Sequence, residues 1–316
     1  MSEARILVFA YSDVGHECLR YLLDSGEHIA ACYTYSDPTP PLAWPPSVFR
    51  LCQEHGVPVF TDVDWKDPHE IRRAGELLPD LIFSFYYREL LPREILLLPR
   101  LGAFNIHGAL LPKYRGRAPV NWAVLEGETR TGATLHHMTE RADAGDIVDA
   151  EAVPIGPDET SIEVQRKVVG AAVRVLARQL PALKAGTAPR RSQYPSQAFT
   201  RGRRSPEDGK IDLNQPAKRV HDLVRAVTHP FPGAFTDTFP EKTWIWKTGL
   251  PGLSAHDAYP GQPFVHENRL MVCCGDDHYV DVIVLQPEGG PEMTAAQWIL
   301  AHSVYSPDPK AGKTVS

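Results

Sequence analysis

Short apolar runs alternate with stretches of helical spacing over the first half of the chain. RILVFA at 5–10 reads as a strand, after which Val14, Cys18, Tyr21 and Leu22 fall on one face of a helix over 14–23. Positions 28–33 read as the next strand, 48–55 as a helix and 57–60 as a short strand. LIFSF at 81–85 is apolar on both faces, as in a buried parallel sheet, and 103–106 and 133–137 follow the same style. A helix over 160–183 closes this half, with Ser161 placed to cap its start and Gly186 to stop it. Strands separated by helices predict an α/β, doubly wound (Rossmann-like) parallel sheet, whose ligands bind beyond the C-terminal strand ends.

The pattern changes at 187–206, where Pro189, Pro195, Pro206 and five arginines occur with no acidic residue. This stretch reads as an Arg/Pro-rich linker, either solvated or anion-binding. Beyond it, an amphipathic helix over 217–227 precedes five short strands separated by Pro-Gly and Gly-Asp turns. They predict a smaller β-rich domain, a small barrel (OB-like) or an open sheet. The expected organisation is a catalytic domain at 1–186, the linker at 187–206, the β-rich domain at 207–303 and a disordered tail at 304–316.

Charge narrows the partners. The chain carries 33 Lys and Arg against 39 Asp and Glu, and 207–303 alone holds seven basic against thirteen acidic residues. That balance disfavours nucleic acid as the main partner but allows a small anion held by a few arginines. No apolar run reaches membrane-spanning length, and residues 1–10 become strand-like too early for a secretory signal, so the expected location is cytoplasmic. The five cysteines form no CxxC pair and read as reduced and structural, with no metal expected.

Chemistry is carried by FNIHGALLP at 104–112. Strand alternation puts Asn105 and His107 on one face at a strand's C-terminal end, pairing an amide donor with a proton carrier. RADAGDIV at 141–148 forms an acidic loop after a later strand, able to bring Asp143 to His107. There is no glycine-rich phosphate loop and no Gly-x-Ser-x-Gly elbow.

The stretch from Phe104 through Val148 resembles the core signature of the 10-formyltetrahydrofolate-dependent formyltransferases. FSFYYRELL, HGALLPKYRGRAPVNW, RADAGDIV, GRRSPED and AVTHPFPGAF are most similar to the formyltransferase domain of the bifunctional enzyme acting on UDP-4-amino-4-deoxy-L-arabinose. The likeness spans roughly 5–290. It implies transfer of a formyl group from 10-formyltetrahydrofolate to the 4-amino group of a nucleotide-linked sugar, as in lipid A or surface-polysaccharide modification. His107 would be the general acid/base, Asn105 the oxyanion donor and Asp143 the partner of His107. Glu89, Leu90, Leu91, Arg117 and the loop Thr139, Glu140, Arg141, Ala142 would line the folate slot, and Arg203 and Arg204 would meet a diphosphate. Two departures stand out: the chain ends before any dehydrogenase part, and 37–46 is proline-rich. The alternatives are a methionyl-tRNA formyltransferase and, from another class, a non-catalytic folate or nucleotide-sugar binder. Oligomeric state is left open.

Overall fold

The structure, a computed structural model, describes residues 4–39, 44–254 and 258–302. The expected disordered tail at 304–316 lies outside the described residues. The chain divides into two compact units, Met1–Pro119 with Arg130–Pro154 and Gln165–Gly202, and Val120–Thr129 with Ile155–Val164 and Arg203–Ser316.

In chain order the first elements are β1 (Ile6–Ala10), α1 (Ser12–Asp24), β2 (Ile29–Thr34), α2 (Val48–Glu54), β3 (Val59–Thr61), α3 (Pro68–Glu76), β4 (Leu81–Phe85) and α4 (Arg93–Leu96). There follow β5 (Gly102–His107), β6 (Arg115–Gly116), α5 (Pro119–Leu125), β7 (Arg130–His137), β8 (Ile147–Pro154), α6 (Ser161–Lys184) and β9 (Thr200–Arg201). The main sheet runs β3-β2-β1-β4-β5-β7-β8. Strands β1 and β4 are buried at every position, which explains their unbroken apolar runs. Because β2 and β3 lie on one side of β1 and β4 and β5 on the other, the order reverses between β1 and β4. The crevice for ligands in such sheets opens at that reversal.

The expectation of a parallel sheet needs one refinement. β1 to β5 pair in parallel, but β7 runs antiparallel to β5, and β8 antiparallel to β7. Apolar runs do not encode strand direction, so β7 could be recognised as a strand without its sense. Ser161 is also not the cap expected of it. It is the first residue of α6, buried and without a hydrogen bond at Oγ, while the Glu163 carboxylate accepts from the N–H and hydroxyl of Thr160. Gly186, at φ +70°, ends this helix as expected.

The second unit contains α7 (Ala217–Val227), β10 (Ala234–Thr236), β11 (Thr243–Gly249), β12 (Pro263–His266), β13 (Arg269–Cys273), β14 (Tyr279–Pro287), β15 (Met293–Thr294) and α8 (Ala295–Ala301). Its antiparallel sheet follows the order β10-β11-β14-β13-β12, with β15 added to β14. Among the described residues this is an open ladder, since β10 and β12 do not pair to close a ring. No helix among them is long and apolar enough to cross a membrane.

Candidate functional site

β5 delivers Asn105 and His107 to the C-terminal edge of the sheet, beside the end of β4. Their alternates, Phe104 and Ile106, are buried on the other face. The antiparallel return of β7 then sets His136 directly opposite Asn105, and Thr134 opposite His107. Asp143 arrives from the loop between β7 and β8 at φ +51°, a left-handed conformation costly for a residue with a side chain. This loop makes a tight approach: a Cβ on Gly145 would run into the His137 carbonyl. Gly108 is similarly confined, since a Cβ there would meet the Tyr86 hydroxyl.

The geometry converges on one carboxylate. Asp143 Oδ1 lies 3.5 Å from His107 Nδ1, 3.4 Å from His136 Nε2 and 3.4 Å from Asn105 Nδ2, and its Oδ2 accepts from the Gly116 N–H at 2.8 Å. His107 is 5% exposed and His136 2%. Each imidazole has its tautomer set by a carbonyl, which can only accept. His107 Nε2–H donates to Tyr114 O (2.7 Å) and His136 Nδ1–H to His137 O (2.8 Å). The remaining nitrogen of each ring therefore faces Asp143. Asn105 gives one amide proton to His136 Nε2 at 3.0 Å, leaving the other held only by the longer contact to Asp143.

Burial by itself raises the Asp143 carboxyl. The His107 charge, the neighbouring His136 ring and the Gly116 N–H outweigh it and hold the carboxyl well below its ordinary 3.8. A carboxyl depressed by folding contributes stability that is fully present above its unfolded value and is lost as pH falls through the folded one. Stability measured by urea unfolding should thus favour wild type over Asp143→Asn least at about pH 2 and increasingly toward about pH 5. A difference that grows with acidification would contradict this electrostatic picture.

His136 was missed from the sequence. The signal was there in Leu135-His136-His137, but its meaning depends on the antiparallel register of β7. His137 faces the other way, its ring tilted against Phe104 with centroids 4.8 Å apart. Burial lowers its pKa, and its nitrogens are engaged by Pro189 O and the Arg190 guanidinium.

The residues expected along the folate slot scatter more widely. Leu90 is 66% exposed, whereas Leu91 belongs to the core with Phe9, Ile82 and Ile95. The Arg117 guanidinium donates to the Arg88 carbonyl at 3.0 Å. Thr139 Oγ1 donates to Arg141 O, Glu140 pairs with Arg93 at 3.6 Å, and Ala142 is exposed. Arg203 is exposed. Arg204 is half-buried, donates to Asp208 O at 2.7 Å and lies 4.9 Å over the Trp122 ring. A cavity of about 330 Å³ opens at the ends of β1 and β2, lined by Tyr11, His16, Tyr35, Asp37 and Arg50. Of the proline-rich stretch, Pro38, Pro45 and Pro46 also line it, and 40–43 lie outside the described residues. Among the described residues no group of three or more His, Cys, Asp or Glu is placed to hold a metal ion.

Two family models match this chain, the formyl transferase domain over residues 43–180 and the formyl transferase C-terminal domain over 203–303. Between them they take in the β5 residues, the Asp143 loop and the β-rich unit. The chain belongs to the formyl transferase family. The Asn105–His107–Asp143 cluster lies inside the region that the first of these models matches.

Solved structures carry the same fold at low identity. A HypX structure from Aquifex aeolicus, in complex with tetrahydrofolic acid, is 18% identical with a TM-score of 0.65. The match covers 100% of this chain, and this chain spans about half (50%) of the HypX chain. An N-formyltransferase from Helicobacter canadensis, in complex with folinic acid and dTDP-3-aminofucose, is 18% identical, covers 89% of this chain and 98% of its own, and has a TM-score of 0.71. A sugar N-formyltransferase from a Shewanella species is 19% identical, covers 78% and 97%, and scores 0.61.

Proposed function

We propose that this formyltransferase moves the formyl group of 10-formyltetrahydrofolate to the 4-amino group of a nucleotide-linked amino sugar, with UDP-4-amino-4-deoxy-L-arabinose the first acceptor to test. The observation that carries the reading is the convergence of Asn105, His107 and His136 on Asp143 at the end of β5. This donor set fits a formyl donor. It offers an amide N–H to a carbonyl oxygen and an imidazole proton carrier, and the exposed Leu90 offers an apolar surface. When bound, the folate supplies an activated formyl carbon.

The chain's own residues then divide the work. Asn105 turns its loosely held amide proton to the oxygen on which charge develops. His107 exchanges a proton at Nδ1, because Nε2–H is committed to Tyr114 O. Asp143 orients that ring and stabilises it when protonated. His136 fixes the Asn105 amide. Arg117, Glu89, Leu90 and the 139–142 loop are the residues proposed for the donor side, while Leu91 belongs to the core.

Support for a sugar acceptor comes from two directions. The Helicobacter canadensis and Shewanella proteins of this fold bear sugar or N-formyltransferase descriptions, the former with an amino-sugar nucleotide bound. The acidic balance of 207–303 also lacks the basic face expected for a tRNA acceptor stem. The cavity at β1 and β2, with Tyr11 and Tyr35 in its wall, is offered as the nucleotide pocket.

UDP should compete with the sugar nucleotide at submillimolar concentration. Replacing Arg203 and Arg204 together by Ala should weaken that competition about tenfold or more, at ~1.5–3 kcal/mol per charge-assisted hydrogen bond. Steady-state inhibition by UDP, dTDP and GDP checks both. Efficient formylation of initiator methionyl-tRNA with no response to any nucleotide would overturn the acceptor and leave the chemistry intact.

A further inference from the structure

Most of the stretch expected as a linker at 187–206, up to Gly202, is built into the first unit. Arg191 pairs through its backbone with Ile147 in both directions, at 2.8 and 3.0 Å, and β9 pairs in parallel with β6. Arg190 and Ser192 both engage the Asp146 carboxylate, and Phe199 packs edge-on against Tyr114 at 4.7 Å. In the middle stands Gln193, whose side chain is saturated. Its amide nitrogen donates to Asp143 O at 2.8 Å and to Gly145 O at 2.7 Å, and its oxygen accepts from Arg115 Nε at 3.2 Å and from the terminal guanidinium nitrogen at 2.7 Å. Carbonyls accept and guanidinium groups donate, so these partners also fix which end of the amide points where.

We propose that Gln193 is a positioning residue for formyl transfer, clamping together the two loops that hold the His107–Asp143 pair. One loop carries Asp143 in its left-handed conformation. The other flanks Arg115 and supplies Tyr114 O to His107 and Gly116 N–H to Asp143. No other side chain of this length provides two adjacent donors and a doubly accepting oxygen. A shift of either loop changes the His107 to Asp143 separation directly, and small misplacements at a reacting centre are expensive in rate. The inference rests on reading His107 and Asp143 as the reacting pair.

Gln193→Glu tests it, because the oxygen facing Arg115 remains while both N–H donors are lost. Gln193→Met, neutral and of similar length, controls for the added charge and serves if the first variant fails to fold. Three readouts are needed: kcat and KM for 10-formyltetrahydrofolate with the amino-sugar nucleotide that supports turnover, the melting temperature, and amide hydrogen exchange over 141–146. The expected result is a fall in kcat of about tenfold to a hundredfold, with donor KM within about twofold, a melting temperature near wild type, and faster exchange in the loop. Combined with Asp143→Asn, Gln193→Glu should lower kcat little further, since both act through one pair. Wild-type kcat in both variants, losses that track the melting temperature, or full additivity with Asp143→Asn would each overturn the proposal. If Asp143→Asn itself keeps wild-type kcat, the catalytic reading falls instead, and loop exchange still reports whether Gln193 holds the loop.

Discussion

His107→Ala and Asn105→Ala are each expected to lower kcat by roughly a hundredfold or more while affinity for the folate stays near wild type. The reason lies in what each group meets. Asn105 has one amide proton fixed on His136 at 3.0 Å and one only weakly held by Asp143 at 3.4 Å. The second can turn to a developing oxyanion at little cost, and an oriented donor of this kind is worth about 2.7–4 kcal/mol in the transition state. His107 contributes a different quantity, a proton at Nδ1 delivered from a ring that Tyr114 O holds in one tautomer. Neither contribution is made to the ground state, so kcat falls and KM does not rise. Single-turnover rates with a separate folate-binding titration check this. Near-normal kcat in either variant removes that residue from the chemistry.

Asp143→Asn is expected to lower kcat by up to about ten-thousandfold, the loss seen when the orienting carboxylate of a Ser-His-Asp triad becomes an amide. Here the carboxylate does more than face one ring. It balances two imidazoles and receives the Gly116 N–H, so an amide must turn its NH2 toward a nitrogen or toward that N–H. Either choice leaves a buried donor facing a donor or strips His107 of its counter-charge. The replacement is close to isosteric, so the fold at pH 7 should survive and the loss should appear mainly in kcat. Nitrogen-15 NMR of the imidazoles reads the same event. The His107 ring-nitrogen shifts should differ between the variant and wild type, and unchanged shifts would mean the two side chains act independently.

Much of this centre was legible before the fold was known. Asn105 and His107 lie two apart on an apolar strand, and strand alternation alone puts them on one face. The Asp-Ala-Gly loop after the next strand marked Asp143. His136 was not legible in the same way, because its proximity to Asn105 depends on β7 running antiparallel to β5, and an apolar strand has no written direction. Gln193 was hidden for a second reason. The 187–206 stretch is rich in arginine and proline and reads as solvated, yet Asp146, the Asp143 and Gly145 carbonyls and Ile147 provide it with partners some fifty positions away in sequence. Long-range polar pairing of that kind leaves no periodicity. Leu91 shows the converse: a hydrophobic residue expected along a slot can belong to the core.

The most direct test of the account follows one atom. 10-Formyltetrahydrofolate carrying a carbon-13 formyl group is incubated with the purified enzyme and UDP-4-amino-4-deoxy-L-arabinose, alongside dTDP- and GDP-linked amino sugars, and the products are read by mass spectrometry and carbon NMR. The account predicts a labelled formamide on the sugar amine of a nucleotide sugar, one equivalent of tetrahydrofolate released, and no such product from His107→Ala on the same timescale. Label recovered only as free formate, or a labelled formamide formed at the same rate by His107→Ala, would contradict it.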